Sequence, residues 1–218
     1  MRNDLKIWRL IMDRIFEMEK DIIDNIYGVL SFKPPYSATV TTVLRCYTKI
    51  EYDVRFRRIE MIPTRFSTVL GIIFDYTVKN LLKDKGFEEK RYSKKYVDDE
   101  GNEYVIYGDP DLVMGDEVVE LKYTSMPLEN LPLEHHVYQV KMYMNQSGLN
   151  GRLIYFTPNG VREFLYDREE ALTDEEIAGI ARSFFIDKVS PRYDWECQYC
   201  HYRSICPLAV LKTEEEEK

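Results

Sequence analysis

Apolar residues recur at helical spacing in two long stretches of the chain, and extended apolar runs follow further along it. Ile7, Ile11, Ile15, Met18, Ile22 and Ile26 form one stripe over roughly residues 5–30, which predicts an amphipathic helix. Pro34-Pro35 ends it, and Ser37 is expected to cap a short helix through Thr41, Leu44 and Cys46. A second helix is predicted over 67–85, with Val69, Ile72, Ile73, Tyr76, Val78, Leu81 and Leu82 as its apolar face. After a charged run, a strand is expected over 103–107. The segments 111–114 and 118–122 then form a hairpin about Gly115-Asp116-Glu117. A helix over 133–146 follows, then a second hairpin around Pro158-Asn159-Gly160. A last helix is predicted from Thr173 to Val189, opened by a Thr173/Glu176 capping box. Strands and helices are thus interleaved along the chain.

The first hairpin carries the candidate chemistry. Residues i and i+2 of a strand share a face, so Glu120 and Lys122 point together while Leu121 turns into the core. Pairing across the hairpin brings Asp111 beside them. Two carboxylates and an ammonium at one place suit a hard divalent cation, Mg²⁺ or Mn²⁺, with the lysine orienting a nearby water. The same residues also fit an ordinary solvated strand face. On the next helix, Gln139 and Tyr143 stand one turn apart on a common face.

Composition narrows the class. Of 218 residues 44% are hydrophobic, enough for a large core, and no apolar run is long enough to span a bilayer. The N-terminus lacks a signal-peptide pattern, so a cytoplasmic, reducing setting with no membrane association is expected. A net charge of −8 argues against a generally basic nucleic-acid coat but leaves room for a local basic groove. Arg45, Lys49, Arg55, Arg57, Arg58 and Arg65, interleaved with Tyr47, Tyr52 and Phe56, form one such strip; it reads either as a solvated charged face or as a track for a phosphate backbone with rings for base stacking.

The chain has four cysteines, Cys197, Cys200 and Cys206 together and Cys46 far upstream. That spacing does not describe a small secreted disulfide framework. Buried unrelated thiols, a structural Zn²⁺ and an iron–sulfur cluster are all compatible with it.

Taken in order, Cys46, Gly71 and Asp75, Gly108 and Asp111, Glu120 and Lys122, Gln139 and Tyr143, and the Cys197/Cys200/Cys206 tail resemble the motifs of the RecB-like nucleases of the PD-(D/E)xK superfamily. The nearest resemblance is to the CRISPR-associated exonucleases of the Cas4 family. It implies an α/β fold with a restriction-endonuclease-like core, a mixed central sheet flanked by helices, over 66–190. An iron–sulfur lobe would be built from residues 1–65, which supply Cys46, and from 191–211, with an acidic tail at 212–218. It also implies that Asp75, Asp111, Glu120 and the backbone carbonyl of Leu121 hold the catalytic Mg²⁺ or Mn²⁺. Lys122 would position the attacking water, and Gln139 and Tyr143 would contact the substrate phosphate or brace Lys122. The four cysteines would hold a 4Fe–4S cluster, with 2Fe–2S or zinc as alternatives. The implied function is a metal-dependent, 5′→3′ exonuclease on single-stranded DNA in CRISPR spacer acquisition, working beside integrase proteins and able to oligomerise. A stand-alone viral or cellular repair nuclease and a weakened DNA-binding subunit are the alternatives. One departure stands out: Asp75 occupies the place of the family's histidine, as an oxygen ligand or as an ordinary helix residue. His135 and His136 are expected to be surface or core residues and not ligands.

Overall fold

The computed structural model describes residues 4–56, 66–82 and 85–210. In chain order these form α1 (Asp4–Tyr27), β1 (Tyr36–Thr39), α2 (Val40–Val43), α3 (Tyr47–Arg55) and α4 (Phe66–Leu82). Then follow β2 (Tyr92–Val97), β3 (Glu103–Gly108), β4 (Leu112–Met114), β5 (Glu117–Tyr123), α5 (Glu134–Ser147), β6 (Asn150–Thr157), β7 (Gly160–Tyr166), α6 (Asp174–Phe185) and α7 (Glu196–Tyr199).

The strands make two mixed sheets flanked by helices. One has the order β1-β3-β2, with β1 parallel and β2 antiparallel to β3. The other runs β4-β5-β6-β7, and only β5 and β6 are parallel. Helix α5 packs on strands of both sheets and so joins them. Its Val140, Met142, Tyr143 and Met144 are buried in the main core with Tyr104, Ile106, Val118, Leu153 and Phe184.

Strand β5 is covered on both sides. Val118 belongs to the main core, whereas Val119 and Leu121 form a second cluster with Leu112, against Val78 and Leu82 of α4. A parallel pair needs this double cover, which explains the run Val118-Val119 before Glu120.

Two predicted boundaries move. Ser37 lies in β1, its hydroxyl spent on the Val29 carbonyl, and Thr39 caps the short helix instead by accepting from the Thr42 amide. Strand pairing with β3 took Ser37 out of its predicted role. Helix α6 has the expected Thr173/Glu176 capping box but ends at Phe185, short of Val189. The amide of Val189 returns to the Ser183 carbonyl, which turns the chain toward the cysteine-bearing segment. Tyr47 is 7% exposed and sits in the main core, so it offers no face to a nucleobase. Of the basic strip, Arg57, Arg58 and Arg65 lie outside the described residues.

Candidate active site and cysteine pocket

The hairpin brings its three candidates together. The register pairs Leu112 with Val119, which sets Asp111 across from Glu120 at the start of the ladder. Asp111 Oδ2 accepts from the Leu121 amide at 2.8 Å, so the hairpin backbone itself orients this carboxylate. Lys122 Nζ donates to Glu120 Oε1 on the shared face. Glu120 is 3% exposed. The glycine that opens the motif has a steric role, since a Cβ on Gly108 would lie 2.9 Å from Cδ1 of the Tyr143 ring. Only a bare backbone lets α5 come this close to the end of β3.

The helix before the hairpin adds a residue that the motif reading passed over. Lys79 Nζ lies 3.1 Å from Asp75 Oδ2 and 3.1 Å from Asp111 Oδ1, tying α4 to the hairpin. An acid and a lysine at i and i+4 on a helix were visible in the sequence; that the ammonium also reaches Asp111 was not. Asp75 is therefore at the site, beside Asp111.

Gln139 Nε2 donates to the Tyr143 hydroxyl at 2.8 Å, and also reaches Thr41 Oγ1 at 3.4 Å. Both side chains are buried, and among the described residues neither is hydrogen-bonded to Lys122. Burial first, then the charge of Glu120, pushes the Tyr143 phenol well above its usual range, so it remains a neutral wall behind the acid. His135 and His136 are partly buried in a ring cluster. Burial, and then the nearby Lys122, depresses both imidazoles, to about 4 for His135, so they are neutral at pH 7.

The charge balance of this centre is incomplete. Glu120 Oε2 and Asp75 Oδ1 are buried with no hydrogen-bond partner, an arrangement that costs free energy unless a cation satisfies it. Burial, then repulsion from Asp111, raises Glu120 to about 7 and Asp75 to about 6. Among the described residues no three His, Cys, Asp or Glu side chains converge tightly enough to chelate an ion as they stand. The acids are instead paired to Lys79 and Lys122. A donor set of hard oxygens, two of them unpartnered, fits Mg²⁺ or Mn²⁺.

A pH prediction follows. Both carboxyls titrate higher in the folded chain than in the unfolded one, so the folded state holds the extra protons. Their contribution to stability is present at low pH and is lost as pH rises through about 6 to 7. The same protons compete with a divalent ion. Mn²⁺ binding, followed by titration calorimetry, is expected to be about tenfold weaker at pH 6 than at pH 7.5. A pH-independent affinity would show that Glu120 is not a ligand.

A second site is built by residues distant in sequence. Cys46, Cys197, Cys200 and Cys206 line one pocket, with Lys49, Tyr52 and Tyr202. Glu196 joins the two ends: Oε1 accepts from the Cys46 amide at 3.0 Å, and Oε2 from the amides of Arg192 (2.9 Å) and Tyr193 (3.0 Å). The Thr48 amide and hydroxyl both donate to Ser190 Oγ at 2.9 Å. All four cysteines are free thiols, and burial raises those of Cys46 and Cys200. Four soft donors line this pocket, a donor type that zinc and iron–sulfur groups both take, but among the described residues no three stand close enough to hold a metal as they are. Glu196→Ala removes three charge-assisted bonds and is expected to destabilise the chain by about 3 kcal/mol, seen as a lower denaturation midpoint.

The fold and the sequence together define the class of protein, a nuclease. Residues 55–207 match the profile described as the PD-(D/E)XK nuclease superfamily. The CRISPR-associated exonuclease Cas4 of Saccharolobus solfataricus (strain ATCC 35092 / DSM 1617 / JCM 11322 / P2) is 30% identical over 203 residues, covering 89% of this chain and 98% of that protein. The crystal structure of SSO0001 superposes with a TM-score of 0.77 at 25% identity, over 94% of this chain and 98% of that one. The chain therefore belongs to the PD-(D/E)XK nuclease superfamily and, within it, to the Cas4 family.

Proposed function

We propose that this chain is a Mg²⁺- or Mn²⁺-dependent deoxyribonuclease that degrades single-stranded DNA from a 5′ end and acts in CRISPR spacer acquisition beside the integrase proteins. The observation that carries the nuclease reading is the convergence of Asp111, Glu120 and Lys122, with an unpartnered carboxylate oxygen buried among them. The CRISPR setting rests on the likeness to the Cas4 exonuclease.

Asp75, Asp111, Glu120 and the Leu121 carbonyl would hold the cation, which supplies charge neutralisation at the scissile phosphate and lowers the pKa of water. Lys122, aimed by its bond to Glu120, orients the attacking water and offsets the negative charge that grows on the phosphate. The Leu121 amide keeps Asp111 in place through the reaction. Gln139 and Tyr143, buried and bonded to each other, back Glu120 with a polar, unionised surface and through Glu120 brace Lys122. The two cysteine-bearing ends would form one 4Fe–4S lobe joined to a nuclease core over 66–190, and the lobe acts as a clasp.

Single-stranded DNA labelled at either end is the direct test. Cleavage in Mg²⁺ or Mn²⁺ with early release of the 5′ label, abolished by chelator, supports the reading; unchanged cleavage in chelator refutes it. DNA binding without cleavage in any divalent ion would instead favour a DNA-binding subunit, in which the Asp75–Lys79 pair has replaced a metal ligand. Anaerobically purified protein is expected to be brown and to contain iron and labile sulfide; a colourless zinc protein would refute the cluster.

A further inference from the structure

The histidine pair set aside as a source of ligands leads to a surface that the nuclease chemistry leaves unused. Lys122 on β5 is paired in register with Tyr155 on β6. The Tyr155 hydroxyl and His136 Nδ1 are 2.9 Å apart. The His136 ring lies 4.0 Å from that of His135, and His135 lies 5.0 Å from Trp195. Trp195 is stacked with Tyr193 at 5.8 Å and 13°. A continuous row of rings thus runs from the strand bearing the candidate catalytic lysine to the segment bearing Cys197.

This row ends in the open. Trp195 is 43% exposed, whereas the other members are partly or fully buried. An indole held against neighbouring rings and half open to water presents a flat apolar face to solvent. The rings behind it fix its orientation, so little side-chain entropy remains to be lost when a flat ligand lands on it. The charges around the rings are mixed: Lys122 and Arg45 act on His135, while Arg192, Glu134 and Glu196 act on Tyr193. An open ring face suits an unpaired base, and the two cations on the His135 side suit a phosphate of the same strand.

We propose that Trp195, supported by Tyr193 and His135, is a stacking platform for an unpaired nucleobase of the substrate strand near the catalytic lysine. The inference rests on the nuclease reading and deepens it, since it places the strand on the face between β5 and the cysteine-bearing segment. It also gives a physical basis for a single-strand preference, because bases paired in a duplex keep their faces covered.

The test uses the full chain with chelator present, so that binding is read without cleavage. Wild-type protein is expected to bind a single-stranded oligonucleotide about tenfold more tightly than one carrying consecutive abasic sites. Trp195→Ala should bind both alike, at the weaker affinity, and Trp195→Phe should recover most of the difference. Discrimination unchanged in Trp195→Ala overturns the platform, and that result is also the one expected if the rings cover a protein partner instead. Failure of the wild type to bind either oligonucleotide overturns the nuclease reading, and the platform falls with it. Photocrosslinking of wild-type protein to 5-iododeoxyuridine-substituted DNA needs no variant to fold. Cross-links at Trp195 or Tyr193 support the proposal, and cross-links confined to other surfaces refute it.

Discussion

Replacing Glu120 with glutamine is expected to reduce DNA cleavage by about three orders of magnitude while making the metal-free chain more stable at pH 8. The two effects share one cause. Glu120 is buried, bonded through one oxygen to Lys122 and through the other to nothing. Its carboxyl is raised to about 7 by burial and by Asp111, so ionising it in the folded chain at pH 8 opposes folding. Removing that charge should return about 2 kcal/mol, seen as a higher melting temperature in chelator. Cleavage falls because the same charge is what a divalent ion and the lysine both need. The loss of one preorganised electrostatic group at a reacting centre costs about a hundred- to a thousandfold, and more where a metal is lost with it. Lys122→Ala should lower cleavage comparably, but without the gain in stability, since it leaves Glu120 with no counter-charge. A Glu120→Gln variant that cleaves like wild type would place the reaction elsewhere.

Lys79→Met should tighten Mn²⁺ binding about tenfold, against the usual expectation that changing a residue beside a metal site weakens it. The ammonium of Lys79 lies 3.1 Å from both Asp75 and Asp111. Burial alone would lower its pKa, but Asp111 and then Asp75 more than offset this, and Lys79 is raised overall and fully charged at pH 7. An incoming cation meets that charge at short range. At 4 Å and an effective dielectric near 20, each unit of charge is worth about 4 kcal/mol. The real penalty is smaller, because Lys79 lines an open cleft with Arg14, Tyr76 and Asn80 into which its flexible side chain can move. Methionine keeps the length of the side chain and removes the charge. Calorimetric Mn²⁺ titration reads the outcome. The metal-free variant should also be less stable at pH 8, since two acids then face each other uncompensated. An unchanged or weaker affinity would mean that Lys79 supports the site instead of competing at it.

The hairpin site was legible because its geometry is local. A strand fixes Glu120 and Lys122 to one face by alternation, and a short turn fixes which residue lies opposite, so nearby spacing was enough to bring in Asp111. The chemistry of Lys79 was not legible. Its distance to Asp75 is helical geometry, but its contact with Asp111 depends on how α4 packs over β5 through Val78, Leu82, Val119 and Leu121. Ser37 shows the converse failure: a good local cap was overridden by pairing with a strand that begins far downstream. Tyr47 was overridden for the same reason: its ring, offered by the sequence for base stacking, was taken by the core. It is an aromatic residue in polar surroundings, and sequence does not say which such ring the core will take.

What the sequence by itself determined was helices α1, α4, α5 and α6, strand β3, the two hairpins with the acid–acid–lysine grouping, and the family it resembles, because each rests on periodicity or on order along the chain; β1, β2, α3 and α7 were not read from it. Only the tertiary structure decided that four thiols separated by most of the chain line one pocket, that Glu196 joins its two ends, and that Lys79 stands between two acids. It also decided that a row of rings leads from Lys122's strand to an open indole. These are contacts between segments distant in sequence, and what sets them is the burial of apolar faces that need only be apolar and of about the right size. Such faces specify that helices and sheets will meet, and leave the exact polar neighbours at the seam to the packing itself.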